Sequence, residues 1–149
     1  MLQILNKKAR LNYQILETVE AGIELLGPEV KSIRNGQISL DGAHIQIGVS
    51  HNGPEVRLVG MHASPYLSAG KLHIDPTRVR RLLLHKHQIL GLWDKTRGKG
   101  LTMIPLRIYE KKGWIKVEIG LVKGKKKWEK REDLKRRDIE REVERETKS

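Results

Sequence analysis

The residues of this chain best equipped for chemistry are its six histidines, and the chemistry they suggest first is metal-assisted hydrolysis. His85-Lys86-His87 and His73-Ile74-Asp75 are the closest-spaced pairs. Residues two apart on a helix do not share a face, and no H-E-x-x-H motif occurs, so neither pair predicts a ligand set. With no cysteine present, thiolate nucleophiles, disulfides and cysteine-ligated zinc are excluded. GLVKGKKK, Gly120 to Lys127, resembles a phosphate loop only in composition, because it lacks the four-residue gap between glycines and the Lys-Ser/Thr pair. The expectation is a protein that is not an enzyme and has no catalytic residue, metal or cofactor.

Charge points elsewhere. Thirty Lys and Arg against 18 Asp and Glu leave +12 over 149 residues, a surplus that repels itself unless a polyanion is near. Nucleic acid is the first candidate. No apolar run is long enough to span a membrane, and the opening MLQIL is too short for a signal-peptide core, so the expected location is cytoplasmic. Phe is absent, leaving Tyr13, Tyr66, Tyr109, Trp93, Trp114 and Trp128 as the residues able to stack on bases. Many cations with few aromatics suit a folded RNA recognised by shape and backbone better than a single-strand stacking platform.

The candidate contacts each have a plainer reading. NKKARLNY, Asn6 to Tyr13, brings cations and amides to the start of a strand, where they can reach phosphates; the plainer reading, favoured for such a stretch alone, is a flexible, soluble terminus. RVRRLLLHKH, Arg78 to His87, sets Arg78, Arg80 and Arg81 against an apolar triplet and is either an anion-facing helix or a solvated one. Glu20 stands out among cations as an acceptor for a base edge or a 2′-hydroxyl, or as the partner of a nearby Lys.

Short elements must hold these residues in place. Tyr13 to Leu26 alternates as a long strand, with a bend or bulge expected at Ala21-Gly22. Pro28 opens a helix that puts Val30 and Ile33 inward and Lys31 and Arg34 outward, and stops at Asn35-Gly36. Strands are expected over 43–49 and 56–59. Asp75-Pro76 should cap a basic helical segment running into Leu82-Leu83-Leu84, and a further helix is expected from about His87 to Arg97. Leu101 to Glu110 and Trp114 to Val122 form the clearest hairpin. The fold class is therefore mainly β with short helices (α+β). An OB-like closed antiparallel barrel of about six strands with three short helices is the economical arrangement.

Residues 1–122 make the barrel domain and 123–149 a charged tail. The tail interleaves acids and bases three and four apart, which favours helix, yet Leu134, Ile139 and Val143 are its only aliphatics. Such a segment is expected to be solvated or to wait for a partner.

NKKARLNY, EAGIELLGPEVKSIRNGQISL, MHASPY, DPTRVRRLLLHK, GLTMIPLRIY and KGKKKWEKRED, in this order along nearly the whole chain, resemble the small protein B (SmpB) family, the bacterial partners of transfer-messenger RNA (tmRNA, or SsrA RNA). The resemblance implies an OB-like barrel that binds the tRNA-like domain of that RNA and brings it to stalled ribosomes for trans-translation. It implies a stand-in for the anticodon arm and a tail, disordered alone, that turns helical in the empty mRNA channel. Alanyl-tRNA synthetase and elongation factor Tu are implied as indirect partners through the RNA. Matched by motif, the RNA-facing set is Asn6, Lys7, Arg10, Glu20, Leu83 and Lys116, to which charge placement adds Lys31, Arg34, Arg78 and Arg80. The ribosome-facing set is Gly124, Lys125, Lys126 and Lys127 with Glu129, Lys130 and Arg131; the family usually has Asp at the position of Glu129. The alternatives are an OB-fold ribosomal or initiation-factor-like protein that binds structured RNA, and a histidine-dependent hydrolase acting on RNA.

Overall fold

The computed structural model describes residues 2–64, 74–124, 139 and 141. In chain order the elements are β1 (Gln3–Leu5), α1 (Lys7–Asn12), β2 (Tyr13–Ile23), α2 (Gly27–Arg34), β3 (Ile38–Ser39), β4 (His44–Ser50), β5 (Gly53–Val59), β6 (His62–Ala63), β7 (Arg80–Leu83), α3 (Lys86–Thr96), β8 (Thr102–Lys111) and β9 (Trp114–Gly124). Seven strands form one antiparallel sheet in the order β1-β8-β9-β2-β7-β5-β4, and β3 pairs with β6.

The β8–β9 hairpin turns through Lys112 and Gly113, whose φ values of 51° and 82° match the right-handed twist of the strands they join. Helix α2 begins with Pro28 in its first turn and ends where Gly36 reaches φ 71°. Ile33 points into the core while Lys31 and Arg34 stay exposed, as the periodicity requires. Helix α3 follows the expected span to within a residue.

The inner face of the sheet is the main core: Val56, Leu58, Leu82, Ile108, Val117 and Ile119 all lie within 2 % of full burial, joined by Met61 and by Ile33 of α2. A smaller cluster sits on the opposite face, where α1 lays Ala9 over Ile104, Leu106 and Val122. The Lys7–Asn12 segment is thus a packed helix and not a mobile terminus.

Three expectations need correcting. Arg80 to Leu83 is a strand, not part of a helix, because Arg80 and Leu82 are buried while Arg81 and Leu83 are exposed, which is period two. Asp75 does cap a turn, its Oδ1 accepting from the Thr77 amide and hydroxyl at 2.9 Å, but the turn does not propagate. The irregularity in β2 falls between Ile15 and Glu17, and pairing runs on unbroken through Gly22. Finally, the ladder does not close into a barrel: β1 and β4 are its outer strands. Strand β1 already pairs with Arg107–Tyr109, and Asn6 takes the Leu106 and Pro105 carbonyls through its amide N at 2.9 Å and its Nδ2 at 2.8 Å. With that edge of β8 occupied, β4 lies beside β8 without pairing to it.

Candidate nucleic-acid interface

Side chains on a strand alternate between faces, so strand register decides which functional residues meet. Glu20 lies directly opposite Glu118, Gly22 opposite both Lys116 and Leu83, Lys116 opposite Tyr109, and Arg107 opposite Glu118. All stand on the face turned away from the core. Glu20, Leu83 and Lys116, three of the sequence candidates, therefore share one surface spanning β7, β2 and β9, although their positions in the chain are far apart. Gly22 makes this possible, since a Cβ there would stand 3.2 Å from the Cβ of Leu83. Leu83 lies across the bare backbone and remains 45 % exposed.

Helix α1 rests on the same outer face, because the residues it covers on β8 and β9 are its outward ones. Lys7 is exposed there; Arg10 lies on the same helix. Asn6 has a different position: it is buried, and its amide is spent on Pro105. It anchors α1 to β8, and what stays open of it borders a cleft shared with Lys8, Asn12 and Tyr13.

The outer face has its own electrostatic order. The hydroxyl of Tyr109 donates to Oε2 of Glu20, and Lys111 Nζ reaches the same oxygen at 3.5 Å. That hydroxyl hydrogen bond, outweighing partial desolvation and aided by Lys111, holds the Glu20 carboxyl below its ordinary value, so it remains an anion. Burial, and then the hydrogen bond to Glu20, push the Tyr109 phenol upward. The Arg107 guanidinium lies 4.2 Å from the centre of the Tyr109 ring while its Nε donates to Glu118 at 3.0 Å.

The remaining candidate cations lie elsewhere. Arg80 is fully buried: its Nε donates to Glu29 Oε2 at 2.8 Å, and its terminal nitrogens to the carbonyls of Met61 at 2.7 Å and Pro76 at 3.1 Å. It cannot reach a phosphate, which corrects its place in the RNA-facing set. Arg78 shares Glu29 with it, Nε to Oε2 at 3.3 Å, and is only partly exposed. Arg34 pairs with Glu110 at 3.2 Å on α2, and Lys31 is on the exposed side of that helix. Gly124 ends β9, opposite Tyr13 at the start of β2. Lys125, Lys126, Lys127, Glu129, Lys130 and Arg131 lie outside the described residues, as does His73. His85 precedes α3 in extended conformation, so its ring stacks on His87 with centroids 5.6 Å apart, an approach that helical spacing alone would not allow.

In the sequence Tyr109 and Trp114 stand out only as aromatics, and no motif marks Arg107, Lys111 or Glu118. The available signal was the alternation Arg107-Tyr109-Lys111 across a two-residue turn from Trp114-Lys116-Glu118, which places all six on one face. Trp114, 72 % exposed at the tip of that face, is its largest unburied aromatic among the described residues.

Residues 3–149 match the family described as SmpB protein. The SsrA-binding protein of Enterococcus faecalis (strain ATCC 700802 / V583) is 49% identical over 144 residues, covering 97% of this chain and 91% of the relative. That of Persephonella marina (strain DSM 14350 / EX-H1) is 51% identical over 138 residues, covering 93% and 88%. A solved chain from the structure described as "tmRNA-SmpB: a journey to the center of the bacterial ribosome" superimposes with a TM-score of 0.69 at 41% identity, over 85% of this chain and 87% of that one.

Proposed function

The chain belongs to the SmpB family, and from that premise we propose that it binds the tRNA-like domain of tmRNA and delivers it to stalled ribosomes for trans-translation. It makes and breaks no bond itself. The observation that carries this reading is the outer face of β2, β7, β8 and β9, where Glu20, Leu83 and Lys116 meet beside the basic helix α1 on a chain of net charge +12. Cations there attract phosphate irrespective of sequence, and the fixed carboxylate of Glu20 asks for a donor at one position.

In this reading the RNA-facing residues are Lys7, Arg10, Glu20, Leu83 and Lys116, with Lys31, Arg34 and the half-exposed Arg78 as peripheral cations. Asn6 and Arg80 support them from inside. The domain is OB-like, with β4 packed against β8 where a closed barrel would hydrogen-bond. Residues 123–149 act separately: Gly124 to Lys127 and Glu129 to Arg131 meet the ribosome, and the tail becomes helical in the empty mRNA channel while the domain replaces an anticodon arm. About 20 helical residues span roughly 30 Å, and confinement supplies the burial that the tail's sparse aliphatics cannot. The work belongs in the cytoplasm; among the described residues no helix is long and apolar enough to cross a membrane.

Identifying the RNA that copurifies tests the proposal. The expected result is one abundant RNA of several hundred nucleotides with a tRNA-like end. Recovery of ribosomal RNA alone would favour the ribosomal or initiation-factor-like alternative and overturn tmRNA binding.

A further inference from the structure

A carboxylate on an RNA-binding face is a selective device, because it repels phosphate and rewards only a hydrogen-bond donor. Its selectivity depends on being fixed. Glu20 stands on β2 directly opposite Glu118, an arrangement that by itself would drive the two anions apart. Arg107 removes the conflict by holding Glu118 at 3.0 Å, and the same guanidinium covers the ring of Tyr109. Tyr109, thus held, aims its hydroxyl at Oε2 of Glu20, and Lys111 approaches that same oxygen at 3.5 Å. The other oxygen, Oε1, has no partner among the described residues, while Lys116 on β9 adds positive potential nearby.

We propose that Tyr109, held in place by Arg107, is a positioning residue for RNA recognition: it clamps one oxygen of Glu20 and presents the other as a fixed acceptor for one neutral donor of the RNA. The inference rests on the tmRNA-binding reading and deepens it by naming what the site recognises, an O–H or N–H group and not a phosphate. The donor is a ribose 2′-hydroxyl or a base amino or imino group. The groups that tune the Glu20 charge are Tyr109 and Lys111 from β8 and Lys116 from β9, while Glu118 of β9 faces it across the ladder.

The test is a double-mutant cycle on full-length protein binding to tmRNA. Tyr109→Phe keeps the ring and removes the hydroxyl; it should weaken binding about tenfold in the wild-type background and add nothing in a Glu20→Gln background. Without RNA, carboxyl NMR of the Phe variant should show Glu20 titrating at higher pH than in the wild type, and thermal unfolding checks that the variant remains folded. A merely structural Tyr109 would cost affinity equally in both backgrounds, and that result, or an unchanged affinity of Tyr109→Phe, overturns the proposal. Interference mapping with 2′-deoxynucleotides separates the donors: a position that matters with the wild type and not with Glu20→Gln marks a 2′-hydroxyl, and its absence marks a base. A wild-type protein that binds no tmRNA would overturn the functional reading and this proposal with it, whereas a binding wild type with an indifferent Tyr109 overturns the proposal alone.

Discussion

Arg80 on β7 and Glu29 on α2, 51 positions apart in the chain, meet at 2.8 Å inside the protein, Arg80 with no exposed surface and Glu29 with 3%. Their pairing joins a helix to the sheet, and the remaining guanidinium donors tie down the Met61 and Pro76 carbonyls. A residue read from sequence as an RNA contact is instead a fastening of the fold.

Removing either partner should therefore be costly. Arg80→Met strands a buried carboxylate beside the half-exposed Arg78, and a loss of about 3–5 kcal/mol in urea unfolding is expected. The exposed pair of Lys95 with Glu17, at 2.8 Å, is the control: Lys95→Ala should cost under about 1 kcal/mol. Equal losses would show that burial does not set the difference.

Acid should expose the same pair. Burial pushes the Glu29 carboxyl up, but hydrogen bonds from Arg78, the Leu26 amide and Arg80 outweigh it, and the group sits below its ordinary 4.5. A depressed carboxylate contributes stability that is present above its unfolded value and lost as pH falls through its folded one. Unfolding free energy should thus decline below about pH 4.5 more steeply for the wild type than for Glu29→Gln. Parallel declines would assign acid sensitivity to other carboxylates.

Gly120 on β9 is the most crowded of the described glycines, since a Cβ would come within 2.8 Å of Leu106 Cγ and Cδ1. Gly120→Ala is expected to cost about 1–3 kcal/mol by overpacking. Adding Leu106→Ala should cost less than the sum of the single changes, measured by denaturant unfolding; simple additivity would place the strain elsewhere.

On the proposed RNA face, Lys7→Ala with Arg10→Ala should weaken tmRNA binding and lower the magnitude of the log K against log salt slope by about 2, one phosphate contact for each cation. An unchanged slope would remove both from the interface.

Truncation after Lys123 separates the two halves of the proposal. RNA affinity should be largely retained while peptide tagging on stalled ribosomes is lost. A large affinity loss in a filter-binding assay would mean that the tail takes part in gripping the RNA.

How much of this was legible in advance follows the range of each interaction. The β8–β9 hairpin, α2 and α3 carry local signals: a turn of Lys112-Gly113, Pro28 at a helix start, Gly36 and Gly98 after helix ends. The segment 75–84 carries a misleading local signal, because Asp-Pro-Thr is a good helix opening and three arginines resemble an exposed face. Only the long-range acceptor Glu29 makes Arg80 an inward residue and the segment a strand.

The candidate site divides along the same line. Family motifs pointed to Lys7, Arg10, Glu20, Leu83 and Lys116, and composition alone pointed to a polyanion and away from catalysis by cysteine. Whether residues shared a surface depended on register: one residue of slip would have turned Lys116 into the core. Local sequence dictates turns, caps and alternation because those energies lie within a few residues. The tertiary structure decided the open ladder, the burial of Asn6 and Arg80, and the clasp of Tyr109 on Glu20, because each needs partners at least 51 positions away in the chain.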